Sequence, residues 1–91
     1  MSAVPGKRDR LIYLLLDGAS NMPGCLSYIV AIDPNDADGI WITEAWDSEA
    51  SHKASLTLPA VREAIEKARP IIAGFGESRV ITPVGGVGLR A

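Results

Sequence analysis

The chain has 91 residues, of which 47% are hydrophobic, and a formal net charge of −2. That length makes one domain with a thin core, and the slight acidity speaks against a general nucleic-acid binder, which carries a basic excess. No apolar run reaches a membrane span, and one cysteine (Cys25) with one histidine (His52) makes neither an internal disulfide nor a zinc set within one chain.

Only Met1–Val4 precede the first predicted helix, which covers about residues 6–20. There Leu11, Leu14, Leu15 and Ala19 follow helical spacing, and Ile12 and Leu16 widen the stripe. The apolar run "LIYLLL" after "GKRDR" is too short for a signal sequence, so a cytoplasmic protein is expected. "MPGC" forces a turn, because proline fixes φ and glycine tolerates unusual values. Residues 25–32, "CLSYIVAI", read as a strand, and so do residues 40–46, "IWITEAW". The turn cluster "DPNDADG" joins them into an antiparallel hairpin.

Asp47 or Ser48 suits the N-cap of a short helix carrying His52. "LPAVREAIEKARP" gives the clearest helix, with Pro59 in its first turn. Val61, Ala64, Ile65 and Ala68 form its inward stripe, and Glu63 and Lys67 pair on the outer face. "IIAGFGE" reads as a short irregular or helical connector, residues 78–84 as the last strand, and residues 84–91 as a flexible tail of a single domain spanning residues 1–91.

Neither side of the hairpin is polar enough to be a water face. Alternate residues of a strand face opposite sides, and helices in so small a chain cover only one of them. A second copy is the economical cover for the other, so a dimer burying residues such as Ile29 or Trp41 is expected.

The glycine-rich pieces "GFGES" and "PVGGVGLRA" lack the Lys-Ser/Thr of a phosphate loop and read as turns. No serine stands in a nucleophile-elbow context. A Cys25–His52 pair is conceivable, but a small buried hydrophobe is the ordinary role of such a cysteine. Taken singly, Trp46 reads as core packing and His52 as a polar residue on a surface helix. Taken together with Tyr28, they suit a pocket for a flat aromatic molecule.

"PGKRDRL", "MPGCLSY" and "IWITEAWDSEASHKASLTLPAV" resemble the antibiotic biosynthesis monooxygenase family, which includes quinol monooxygenases; the likeness spans about residues 4–83. The resemblance implies an α+β fold, with a ferredoxin-like antiparallel sheet, helices on one face, a truncated first strand, and two copies forming a dimeric α+β barrel. Ala3 and Val4 would be the tail of that strand. Upstream residues, the partner's C-terminal arm or water would fill the rest of its place.

The resemblance also implies a cofactor-independent monooxygenase that oxidises a phenolic or hydroquinone-type aromatic with O₂. An electron-rich phenolate can itself reduce O₂, so the protein would desolvate, orient and deprotonate it. Trp46 matches the family tryptophan at the strand end. His52 is the candidate base, being the side chain type that titrates near neutrality. Tyr28, Glu44, Ile65 and Phe75 are the candidate substrate-binding residues. Ile65 stands about where haem-degrading members carry an iron-ligating histidine, so neither haem nor another metal is expected. The implied partners are a second copy, a small aromatic substrate and O₂, with no nucleic acid or membrane. A non-enzymatic module that holds an aromatic metabolite, and a cyclase or isomerase on the same scaffold, are the alternatives.

Overall fold

The computed structural model describes residues 1–88. The elements are β1 (Ser2–Ala3), α1 (Arg8–Gly18), β2 (Cys25–Ile32), β3 (Ile40–Trp46), α2 (Glu49–Ser55), α3 (Pro59–Ala68), a 3₁₀ turn (Arg69–Ile71) and β4 (Ile72–Gly74). β2 and β3 pair antiparallel from Cys25–Trp46 to Ile32–Ile40, with a register shift between Cys25 and Ser27. β1 pairs antiparallel with β4.

A bridge between Ser2 and Gly39 joins the two strand pairs, and Met1 and Ile40 exchange backbone hydrogen bonds of 2.8 and 2.9 Å. The strands therefore lie in the order β4–β1–β3–β2, the antiparallel ferredoxin-like arrangement. The truncated first strand is Ser2–Ala3. It reaches only the beginning of β3, so among the described residues no strand runs beside Ile42–Trp46 on that edge.

Two Pro-Gly pairs set the entry to α1 and to β2. Val4 O accepts from Lys7 N at 2.9 Å, and Met22 O accepts from Cys25 N at 3.1 Å. Gly6 and Gly24 both have φ of +81°, as the third residue of such turns requires. At Gly24 the fit is tight as well, since an added Cβ would lie 2.5 Å from Ser51 Oγ. The hairpin loop is closed by Asp33 N donating to Gly39 O, and Arg8 reaches across from α1 to Asp36 O at 2.8 Å.

Burial follows the helical stripe. Leu11 and Leu14 of α1, Ala68 of α3, Ala3 and Ile40 form the core, with Ile12, Leu15, Val30, Ile42, Ile71 and Ile72 packed around it. α1 and α3 approach closely where Gly18 meets Ala64, leaving only 2.5 Å between Ala64 Cβ and any Cβ added at Gly18. On the opposite sheet face Ile29 and Trp41 are more than half exposed.

Four expectations change. The first helix is shorter at both ends than residues 6–20, and Leu16, assigned to its stripe, is half exposed. Ile65 is not buried as its place in the stripe predicts; it is 41% exposed, while Ala64 meets Gly18 of α1 and Ala68 lies in the core. The last strand is Ile72–Gly74, where a connector was expected, since only these residues lie beside β1. Residues 78–84 form no strand, and Val80, Ile81 and Val84 are almost fully exposed because no edge of the same chain reaches them. Of the predicted tail, residues 89–91 lie outside the described residues.

Candidate active site

β3 delivers Glu44 and Trp46 to one face of the sheet, and β2 places Tyr28 directly opposite Glu44. The chain then turns into α2. Ser48 is the N-cap, with extended backbone and its Oγ accepting from Ser51 N at 3.1 Å. Asp47 N donates to Gly24 O at 2.9 Å, which ties the end of β3 to the Pro-Gly turn before β2. These contacts fix the first turn of α2, and His52 falls one turn past the cap. The His52 and Trp46 rings are 5.2 Å apart, tilted at 46°. Just inside, buried Ser55 donates to His52 O at 2.6 Å.

Glu44 links the group. Its Oε1 accepts from Trp46 Nε1 at 3.1 Å and stands 3.9 Å from His52 Nε2. The His52 and Glu44 side chains are 46% and 35% exposed, so solvent screens this pair and it adds little to stability. Its value is geometric: a carboxylate fixed by an indole N–H faces an imidazole nitrogen. Burial pushes the Tyr28 phenol up to about 12, with Glu44 and Cys25 adding to the shift. Tyr28 therefore stays protonated at neutral pH and offers an O–H donor. Desolvation and then Glu44 also raise Cys25, while its contact with Ser27 O acts the other way. A thiol held protonated is a poor nucleophile, in keeping with Cys25 as a small apolar side chain.

A cavity of about 290 Å³ lies between sheet and helices, and Tyr28, Glu44, Trp46, His52, Ile65 and Phe75 all line it. Met1, Ile72 and Phe75 line it together with Glu44 and Trp46. Its walls are mostly apolar. Leu15, Ala19 and Met22 from the end of α1 and the following turn, and Leu56, Val61 and Ala64 from the α2–α3 side, complete them. Sequence reasoning missed these six as lining residues. Leu15, Ala19, Val61 and Ala64 follow the apolar stripes, where nothing marks which members meet a void rather than the core, and Met22 and Leu56 lie in the connections beyond them. Among the described residues no cluster of three or more His, Cys, Asp or Glu side chains could hold a metal ion.

The family model for antibiotic biosynthesis monooxygenase matches residues 1–67. The structure is similar to that of a candidate antibiotic biosynthesis monooxygenase from Chloroflexus aurantiacus J-10-fl, with 61% identity, a TM-score of 0.94, and coverage of 98% of this chain and 91% of that one. A second similar structure, of a candidate antibiotic biosynthesis monooxygenase from Deinococcus radiodurans, has 27% identity, a TM-score of 0.68, and coverage of 92% of each chain. No curated protein matches the chain.

Proposed function

Because the chain belongs to the antibiotic biosynthesis monooxygenase family, we propose that it is a homodimeric, cofactor-independent monooxygenase acting on a phenolic or hydroquinone-type aromatic. The observation that carries this reading is the convergence of Glu44, Trp46 and His52 at one end of an apolar cavity. The cavity is near the lower end of the usual size range for small-molecule sites, which suits one or two fused rings.

In this reading the ring lies among Trp46, Ile65 and Phe75, and a hydroxyl meets His52. Imidazole takes the phenol proton, and the neighbouring Glu44 carboxylate stabilises the imidazolium that forms. With Nε2 facing Glu44, Nδ1 is the nitrogen left for the substrate. The phenolate gives electrons to O₂, and a carbon–oxygen bond forms at a ring carbon that carries hydrogen, para to the hydroxyl in a phenol and ortho to it in a hydroquinone. Loss of that carbon's proton and cleavage of the O–O bond leave a quinone carbonyl and one water. Phenol plus O₂ thus gives quinone plus H₂O, with both electron pairs drawn from the ring. The Tyr28 O–H donates to the oxygen that gathers negative charge.

The homodimer is supported by the half-exposed Ile29 and Trp41 on the sheet face away from the helices, and by the exposed apolar side chains of residues 80–87. Among the described residues five hydrophobic side chains are buried, a thin core, and association would bury more apolar surface. Oxygen-electrode assays with a panel of naphthohydroquinones and phenols test the function. Protein-dependent oxygen uptake that drops about 10²-fold or more in His52→Ala is the expected result. Aromatic binding without uptake would favour a binding module, and anaerobic conversion an isomerase or cyclase.

A further inference from the structure

Among the described residues Glu44 is the only Asp, Glu, Lys or Arg side chain that lines the cavity. The cavity's polar groups are few, and most are already engaged. Trp46 Nε1 donates to Glu44, and Ser55 Oγ donates to His52 O. What remains for a ligand is the Tyr28 O–H, the second carboxylate oxygen of Glu44, and the free nitrogen of His52. The N-terminal ammonium of Met1, which also lines the cavity, donates to Ile40 O at 2.8 Å, and Arg62 and Arg69 line a separate surface groove with Leu56, Ile65 and Glu66. A ligand hydroxyl therefore finds acceptors. An anionic group finds a like charge among apolar walls, with no lysine or arginine to compensate its lost hydration.

We propose that Glu44 is a specificity-determining residue of this cavity, selecting electrically neutral, hydroxyl-bearing aromatics against those that carry a carboxylate or phosphate. This rests on reading the cavity as the substrate site and adds the charge class of its ligand. Glu44 has two roles on this account: its Oε1 is held by the Trp46 indole, and its charge screens what enters.

Isothermal titration calorimetry on the intact protein at about pH 8, where a naphthol is neutral and a naphthoate anionic, gives the test. The probes are 2-naphthol and 3-hydroxy-2-naphthoate, which places the charge beside the hydroxyl. The wild type is expected to bind 2-naphthol at least about tenfold more tightly. Glu44→Gln keeps an acceptor for the Trp46 N–H, and it should shrink the gap to less than about threefold by tightening the naphthoate. Equal binding, tighter naphthoate binding (for example with its charge turned out to Arg62 and Arg69), no binding of 2-naphthol, or an unchanged ratio in folded Glu44→Gln would overturn the proposal. If that variant does not fold, Glu44→Ala, read by the same pair of titrations, takes its place. Binding needs no turnover. Discrimination without oxygen uptake defeats only the monooxygenase reading, and oxygen uptake without discrimination defeats only this inference.

Discussion

Tyr28 and Gly24 are two residues whose neighbours decide their behaviour. The Tyr28 phenol, held up at about 12 by burial and then by Glu44, releases its proton later in the folded state than in the unfolded chain. As pH rises past the ordinary tyrosine value the unfolded state ionises first. The stabilisation is thus intact below about pH 10 and is lost as pH climbs toward 12. Absorbance titration should show a late-ionising phenol that disappears in Tyr28→Phe, and that variant should lose stability less steeply at alkaline pH. Gly24 has both a positive φ and a neighbour in the way, whereas Gly6 has the same φ and nothing within 4 Å of an added Cβ. Gly24→Ala should cost roughly 1–3 kcal/mol and Gly6→Ala about 1 kcal/mol or less, measured by urea unfolding. Because Gly24 abuts Ser51 and Asp47, the first change should also alter Trp46 fluorescence through a shift of α2.

At the scale of elements, the hairpin was legible to the residue, since β2 and β3 run over Cys25–Ile32 and Ile40–Trp46 as their β-branched and aromatic pattern predicts. The N-cap was narrowed to two residues, and the geometry chose Ser48; Ser48→Ala should cost about 1 kcal/mol in thermal or urea unfolding. The last strand was misplaced because "SRVITPV" has the better β composition, while "IAG" has the better position. Pairing is decided by which segment lies beside β1, and composition does not contain that information. Ile65 matches the inward stripe by spacing, but it borders the cavity rather than the core, and spacing alone does not distinguish the two. Leu11→Ala, at a fully buried position, should cost about 2–5 kcal/mol. Ile65→Ala should cost clearly less and instead weaken aromatic binding. Of the site, Trp46 and His52 were legible as neighbours across a strand end and a helix start. The fork that Glu44 makes between Trp46 and His52 depends on rotamers and was not.

For the whole molecule, one sheet face is covered by helices and the other leaves Ile29 and Trp41 open. If two copies cover one another there, Trp41→Glu should shift the protein to a monomer in light scattering and lower its thermal stability, since a charge would face an apolar partner surface. Trp41 also donates to Asp33 Oδ2 at 3.1 Å, so Trp41→Phe, which loses that bond but keeps the apolar surface, should remain dimeric. A wild-type monomer would remove the barrel arrangement while leaving the cavity of each chain in place. The proposed function is the insertion of one oxygen atom of O₂ into an aromatic ring held in the cavity bounded by Glu44, Trp46 and His52. Turnover under ¹⁸O₂ with mass analysis of the product measures this directly. One ¹⁸O atom is expected in the quinone formed by the wild type, and none of that labelled product from His52→Ala. An unlabelled quinone accompanied by stoichiometric hydrogen peroxide would mean simple oxidation without oxygen insertion, and would contradict it.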